Sequence, residues 1–124
     1  MDIVPLTAEH FAQIEHRPPP VTVQGLAVLD GERVMGVAGI YPDHMMPRMV
    51  LVAKFAPAAY ELLRAGRHYK TLLRAGRAVL AIAAERKLPV HSVADPSIPG
   101  SVNLLKHLGF KHFIKDTYAC PGSR

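Results

Sequence analysis

The segment Pro89-Val-His-Ser-Val-Ala-Asp-Pro-Ser-Ile-Pro-Gly-Ser-Val-Asn-Leu-Leu-Lys-His-Leu-Gly-Phe110 carries the decision about the fold. Pro89–Ala94 is a short run of small and β-branched residues bounded by turn formers, and it reads as a buried strand. Ser97 is placed to cap a helix over 98–108. Pro99 falls in its first turn, where a missing N–H costs nothing. Gly109 stands where a left-handed residue stops a helix, and Phe110–Ile114 opens a last strand running on towards Cys120.

The preceding region, 57–87, reads as helical. One unbroken helix would be about 45 Å long at ~1.5 Å per residue, too long for a chain of this size. A break at Gly66 gives a short helix near 57–64 and a longer one near 68–87. On the longer helix Tyr69, Leu72, Val79, Leu80 and Ala83 share one face, and Arg67, Lys70, Arg74 and Arg77 share the opposite one. The pentapeptide Leu63-Arg64-Ala65-Gly66-Arg67 recurs as Leu73-Arg74-Ala75-Gly76-Arg77, too closely spaced for a solenoid unit.

The amino-terminal half reads as sheet. Residues 2–4 form a short strand. Thr7 caps a helix over about 8–15, and Pro18, Pro19 and Pro20 forbid its extension. Val21–Leu29 ends at the tight-turn pair Asp30-Gly31, Arg33–Tyr41 returns, and Pro42-Asp43 turns into a third strand, Arg48–Phe55. A three-stranded antiparallel meander follows. The crossover between 48 and 94 should join parallel, right-handed strands. The expected architecture is α+β (mixed α/β): a mixed central sheet flanked by helices, in one domain over 1–124, with 120–124 a loose tail.

With 124 residues and 49% hydrophobic side chains, the chain can bury one core. Cys120 is the sole cysteine, which excludes an internal disulfide. No signal-peptide pattern or membrane-length apolar run is visible, so a cytoplasmic location is expected. The seven histidines show neither HxH nor HxxxH spacing, so no metal site is expected. The net charge of +5 favours anionic partners.

This order of elements, with Leu-Gly-Phe closing the last helix, resembles the GNAT superfamily of N-acetyltransferases over most of the chain. Similarity is strongest over residues 70–110. The resemblance implies a GNAT-like (acyl-CoA N-acyltransferase) fold, acetyl-CoA as the bound molecule and an amine as acceptor. It places cofactor contacts at the strand exit, Lys54, Phe55 and Ala56, and at the helix start, Arg67, His68, Tyr69 and Lys70. The family's glycine-rich phosphate loop is absent: only Gly66 can provide close backbone approach, and the second pentapeptide, around Gly76, falls inside the helix. The tyrosine that many family members place four residues before the Gly of Gly-Phe is Leu105 here. The asparagine often found at the start of that helix is Ile98. Strand 48–55 offers no Glu as general base.

The chain also resembles the short, motif-degenerate GNAT-like proteins of tailed phages and prophages, through its length, its basic stretch and Leu105-Lys106 before the Gly exit. That likeness implies a bacterial host cell, virion association and contacts with phage structural proteins. Two other readings stand beside acetyl transfer. One is a non-catalytic assembly module that keeps the fold. The other is a nucleic-acid binder using the basic stripe, which the scarcity of aromatic residues disfavours. An edge strand near 110–120 suits homo-oligomerisation. Cys120 is a weak nucleophile candidate. Met45 and Met46 read as a turn packing onto the sheet, and Asp95-Pro96-Ser97 reads as a helix-capping turn.

Overall fold

The computed structural model describes residues 1–16, 22–66, 68–95, 98 and 100–120. Arg67, the Pro18–Pro20 stop, Ser97, Pro99 and residues 121–124 of the expected loose tail lie outside them; Cys120, expected as the first residue of that tail, is instead paired with Val90 in the sheet. Among the described residues, seven strands form one sheet in the order β1-β2-β3-β4-β5-β7-β6. β1 (Asp2–Pro5), β2 (Gln24–Asp30), β3 (Arg33–Pro42) and β4 (Met49–Phe55) run antiparallel in sequence. Gly31, at φ 62°, makes the β2–β3 turn that Asp30-Gly31 announces. β4 then pairs in parallel with β5 (Val90–Val93).

The helices take both faces of the sheet. α1 (Ala8–Glu15) is capped by Thr7, whose Oγ1 accepts from the His10 N–H, while the Thr7 N–H donates to His10 Nδ1. It packs Phe11 against Ala27, Val34 and Val37. α3 (Tyr69–Ala84) and α4 (Ser101–His107) cover the other face, where Ile40, Met49, Leu51, Val79, Ala83, Val90, Leu105 and Phe110 form the larger core. The period of two along each strand divides the cores, with Val37 facing one helix layer and Ile40 the other.

α2 (Ala59–Arg64) and α3 are separated at Gly66, φ 70°, as the length of the helical run requires. α3 ends at Ala84, three residues short of the sequence reading. The chain tightens there into a turn in which Lys87 takes φ 55°. α4 closes as expected. Gly109, at φ 97°, lets its own N–H reach the Lys106 carbonyl and the Phe110 N–H reach the Leu105 carbonyl at 2.9 Å. This paired stop carries its usual apolar contact, here between Phe110 and Leu105.

Two further expectations fail. The last strand is two, β6 (Lys111–Ile114) and β7 (Thr117–Cys120), because the chain reverses at Lys115, φ 50°. β7 lies between β5 and β6, so the edge belongs to β6 alone. Met45 and Met46 are 77% and 55% exposed, so that turn does not pack onto the sheet.

Candidate functional site

The seam between β4 and β5 closes at one end and opens at the other. Their ladder holds two pairs, Met49 with Val90 and Val50 with His91. The Met49 N–H donates to the Pro89 carbonyl at 2.9 Å. At this end Arg48 bridges three segments: its Nε donates to Asp43 Oδ2 at 2.7 Å, and its Nη1 donates to His91 Nδ1 at 2.9 Å. A guanidinium only donates, so that imidazole nitrogen is unprotonated. Burial and then the Arg48 charge hold the His91 pKa below its ordinary value. Asp43 is held low, first by the Met45 N–H and then by Arg48.

The last tie is Ser92, whose buried Oγ donates to the Leu51 carbonyl at 3.3 Å. Beyond it β4 runs on to Phe55 and the two strands diverge. The gap is a cleft of about 820 Å3, within the range of small-molecule sites. Every β4 residue from Val50 to Phe55 lines it, with Ser92–Asp95 opposite. Tyr69, Leu72 and Gly76 of α3 and Leu104 and Leu105 of α4 form one wall, while Ile14 and Glu15 of α1 reach it from the other face.

Backbone direction adds polarity to this mostly apolar lining. Met49 points its N–H towards β5, and β4 pairs with β3 without a register shift. Alternation therefore turns the N–H and C=O of Ala53 and Phe55 to the open edge. Ala56 faces the other way, its N–H donating to the Met35 carbonyl at 2.9 Å.

At the top of the cleft α3 begins without help. His68, at φ 61°, precedes its first turn and makes no side-chain cap, and that turn holds no acidic residue. Among the described residues, neither the N-cap residue nor an acidic side chain of the first turn caps the first amides of this 16-residue helix, at the end where the peptide dipoles favour an anion. Gly66 lines the cleft nearby. The Tyr69 hydroxyl is hydrogen-bonded to His107 Nδ1, joining α3 to α4.

Of the sequence-predicted contacts, Lys54, Phe55 and Tyr69 line the cleft. His68 and Lys70 are exposed beside the α3 start, and Ala56 lies just past the strand with its N–H already used. Lys70, Arg74 and Arg77 form an exposed row on α3. Leu105 is buried and lines the cleft without a proton to give. Tyr41, Tyr60 and Tyr69 are the tyrosines that do line it. Glu15 supplies the carboxylate that β4 lacks. Its Oε1 lies 3.4 Å from Lys54 Nζ, a contact between segments that no local spacing announces. Asp95 lines the cleft, and its carbonyl accepts from Ser101 Oγ at 2.8 Å. Burial pushes the Cys120 thiol up, which disfavours the thiolate needed for nucleophilic attack. Among the described residues, no group of three or more His, Cys, Asp or Glu is arranged to hold a metal, and no helix is long and apolar enough to cross a membrane.

Solved structures share this architecture. TTHA1254 from Thermus thermophilus, in a point-mutant form, superposes with a TM-score of 0.61 at 19% identity, covering 93% of this chain and 92% of its own. A GNAT-family acetyltransferase from Bacillus anthracis gives 0.59 at 9% identity, with 96% and 93% covered. The AtaT-AtaR complex bound to DNA gives 0.55 at 11% identity, with 98% and 94% covered. No family model matches the sequence, and no curated protein matches it. The chain has the GNAT acyltransferase fold.

Proposed function

We propose that the chain binds acetyl-CoA in the β4–β5 cleft and transfers the acetyl group to an amine. The observation that carries this reading is the seam: two ladder pairs, then an open β4 edge facing a cleft of about 820 Å3. An exposed strand edge accepts an extended chain carrying amides, because its own N–H and C=O groups are spaced to pair with one. Ala53 and Phe55 would supply those groups to the pantetheine arm. The amides at the start of α3 would hold the pyrophosphate, with Lys70 adding charge beside it. Leu72, Leu104 and Leu105 keep the reacting end dry, which strengthens every polar contact there. When bound, acetyl-CoA supplies a reactive thioester. The tyrosines lining the cleft are the proton donors available in place of Leu105. With no glycine-rich loop, the phosphate grip rests on helix amides and lysine.

Thermal unfolding titrated with acetyl-CoA tests the reading. At a hundred times the dissociation constant the ligand should stabilise the fold by about 2.7 kcal/mol. Free thiol should then appear on addition of primary amines. Absence of any shift at millimolar acetyl-CoA would overturn the proposal and favour a non-catalytic assembly module built on the same fold.

A further inference from the structure

We infer that the outer face of α3 is a docking surface for the phosphate backbone of duplex DNA. Lys70, Arg74 and Arg77 stand along it, about one helical turn apart, and all three are exposed. α3 carries no acidic residue over its 16 positions. The ion pairs among the described residues engage Arg33, Arg48, Lys54 and Arg64, and none reaches this row. The hydrogen bond between Tyr69 and His107 sets the last turn of α4 beside the first turn of α3, which brings exposed Lys106 and His107 to the same end. Like charges three and four positions apart repel along a helix, so the row costs stability that a bound polyanion restores.

The make-up of this face states which polyanion fits. Its other exposed residues are Ala78 and Ala81, so it holds no large apolar or aromatic side chain. An interface with a protein is centred on such side chains, whereas nucleic acid can be held by phosphate contacts alone. The exposed Val93, Phe113 and Ile114 stand elsewhere, on β5 and β6. Scarcity of aromatic rings counts against single strands, whose bases are gripped by stacking, and not against a duplex, whose bases are already stacked. From Lys70 to Arg77 the helix advances about 10.5 Å at ~1.5 Å per residue. Each DNA strand sets a phosphate about every 3.4 Å along the axis, so the row can face three of them. Arg74 and Arg77 add planar forks that match phosphate oxygens. A ridge continued by alanines is slim enough for the ~12 Å major groove of B-form DNA, a groove that A-form RNA narrows against side chains.

The test is fluorescence anisotropy of a short labelled DNA duplex titrated with the full chain, without acetyl-CoA. Neutralising three phosphates gives a slope of about −2.7 in log affinity against log salt, a loss of about fortyfold between ~50 and ~200 mM NaCl. Arg74→Gln combined with Arg77→Gln should flatten the slope to about −0.9 and weaken binding roughly tenfold or more at the lower salt. Arg33→Gln combined with Lys111→Gln removes the same net charge from exposed residues off this face and should leave the slope unchanged. Absent or salt-insensitive binding, or an equal loss in the two double variants, would overturn the inference. So would equal affinity for an RNA duplex, or equal competition by poly-L-glutamate at matched charge, which would assign the face to an acidic protein. Arg74 and Arg77 take no part in the acetyl-CoA contacts proposed above, and the probe contains no cofactor, so the two readings fail separately.

Discussion

The two halves of the β4–β5 seam are built from similar residues and behave in opposite ways. At the closed half, Met49 and Val50 pair with Val90 and His91, and Arg48 draws Asp43 and His91 together. At the open half, Leu51–Phe55 continues the same apolar strand, yet its edge faces a cleft. Apolar composition is therefore not what decides pairing here. A polar clamp secures one end, and divergence after Ser92 frees the other. A sheet that would ordinarily cover an interior edge instead keeps part of one available for a ligand.

Filling the open half should have the largest effect. Ala53→Trp places a ring on the strand that borders the cleft. Acetyl-CoA affinity should fall about a hundredfold, or ~2.7 kcal/mol, with the far-ultraviolet circular dichroism unchanged. Retained affinity would mean that the cleft is not the cofactor site.

Ser92 marks the boundary between the halves. Ser92→Ala removes the hydrogen bond to the Leu51 carbonyl and should cost about 1 kcal/mol, read as a lower urea midpoint at constant slope. An unchanged midpoint would show that the divergence does not depend on this tie.

The smallest effect concerns acid. His91 is held neutral in the folded protein, so its pKa lies below the ordinary 6.5. As pH falls past that value the unfolded chain takes up more protons than the folded one. Stability is full above about pH 6.5 and declines in acid towards the folded pKa. Asp43 adds a further loss only below its ordinary 3.8. His91→Asn should flatten the slope of urea midpoint against pH between about pH 7 and pH 5. If the slope is the same in both proteins, the closed half is not pH-sensitive through this imidazole.

Much of the fold was legible because its signals are local. Asp30-Gly31, Thr7, Gly66 and the Gly109-Phe110 stop each act through the backbone of a few neighbours, so their meaning survives without the rest of the chain. The reversal at Lys115 was missed because a non-glycine residue at positive φ leaves no compositional mark. The site was legible only as a region. Lys54, Phe55 and Tyr69 were named from the strand exit and helix start, whereas Glu15, Tyr41 and Ser92 reach the cleft from separate elements.

The repeated pentapeptide shows where the division lies. Gly66 sits at φ 70° with nothing within 4 Å of where a Cβ would be, and there the chain leaves one helix before entering the next. Gly76, in the same Leu-Arg-Ala-Gly-Arg setting, is buried inside α3, where a Cβ would come within 2.7 Å of Leu108 Cδ1. Sequence alone determined the alternation, the Asp30-Gly31 turn, the Gly66 break, the Thr7 cap and the Gly109 stop, since steric limits and backbone hydrogen bonding act over a few residues. Tertiary structure alone decided that Gly76 would meet Leu108, where β4 and β5 part, and that Glu15 meets Lys54. Those outcomes depend on packing between segments far apart in the chain.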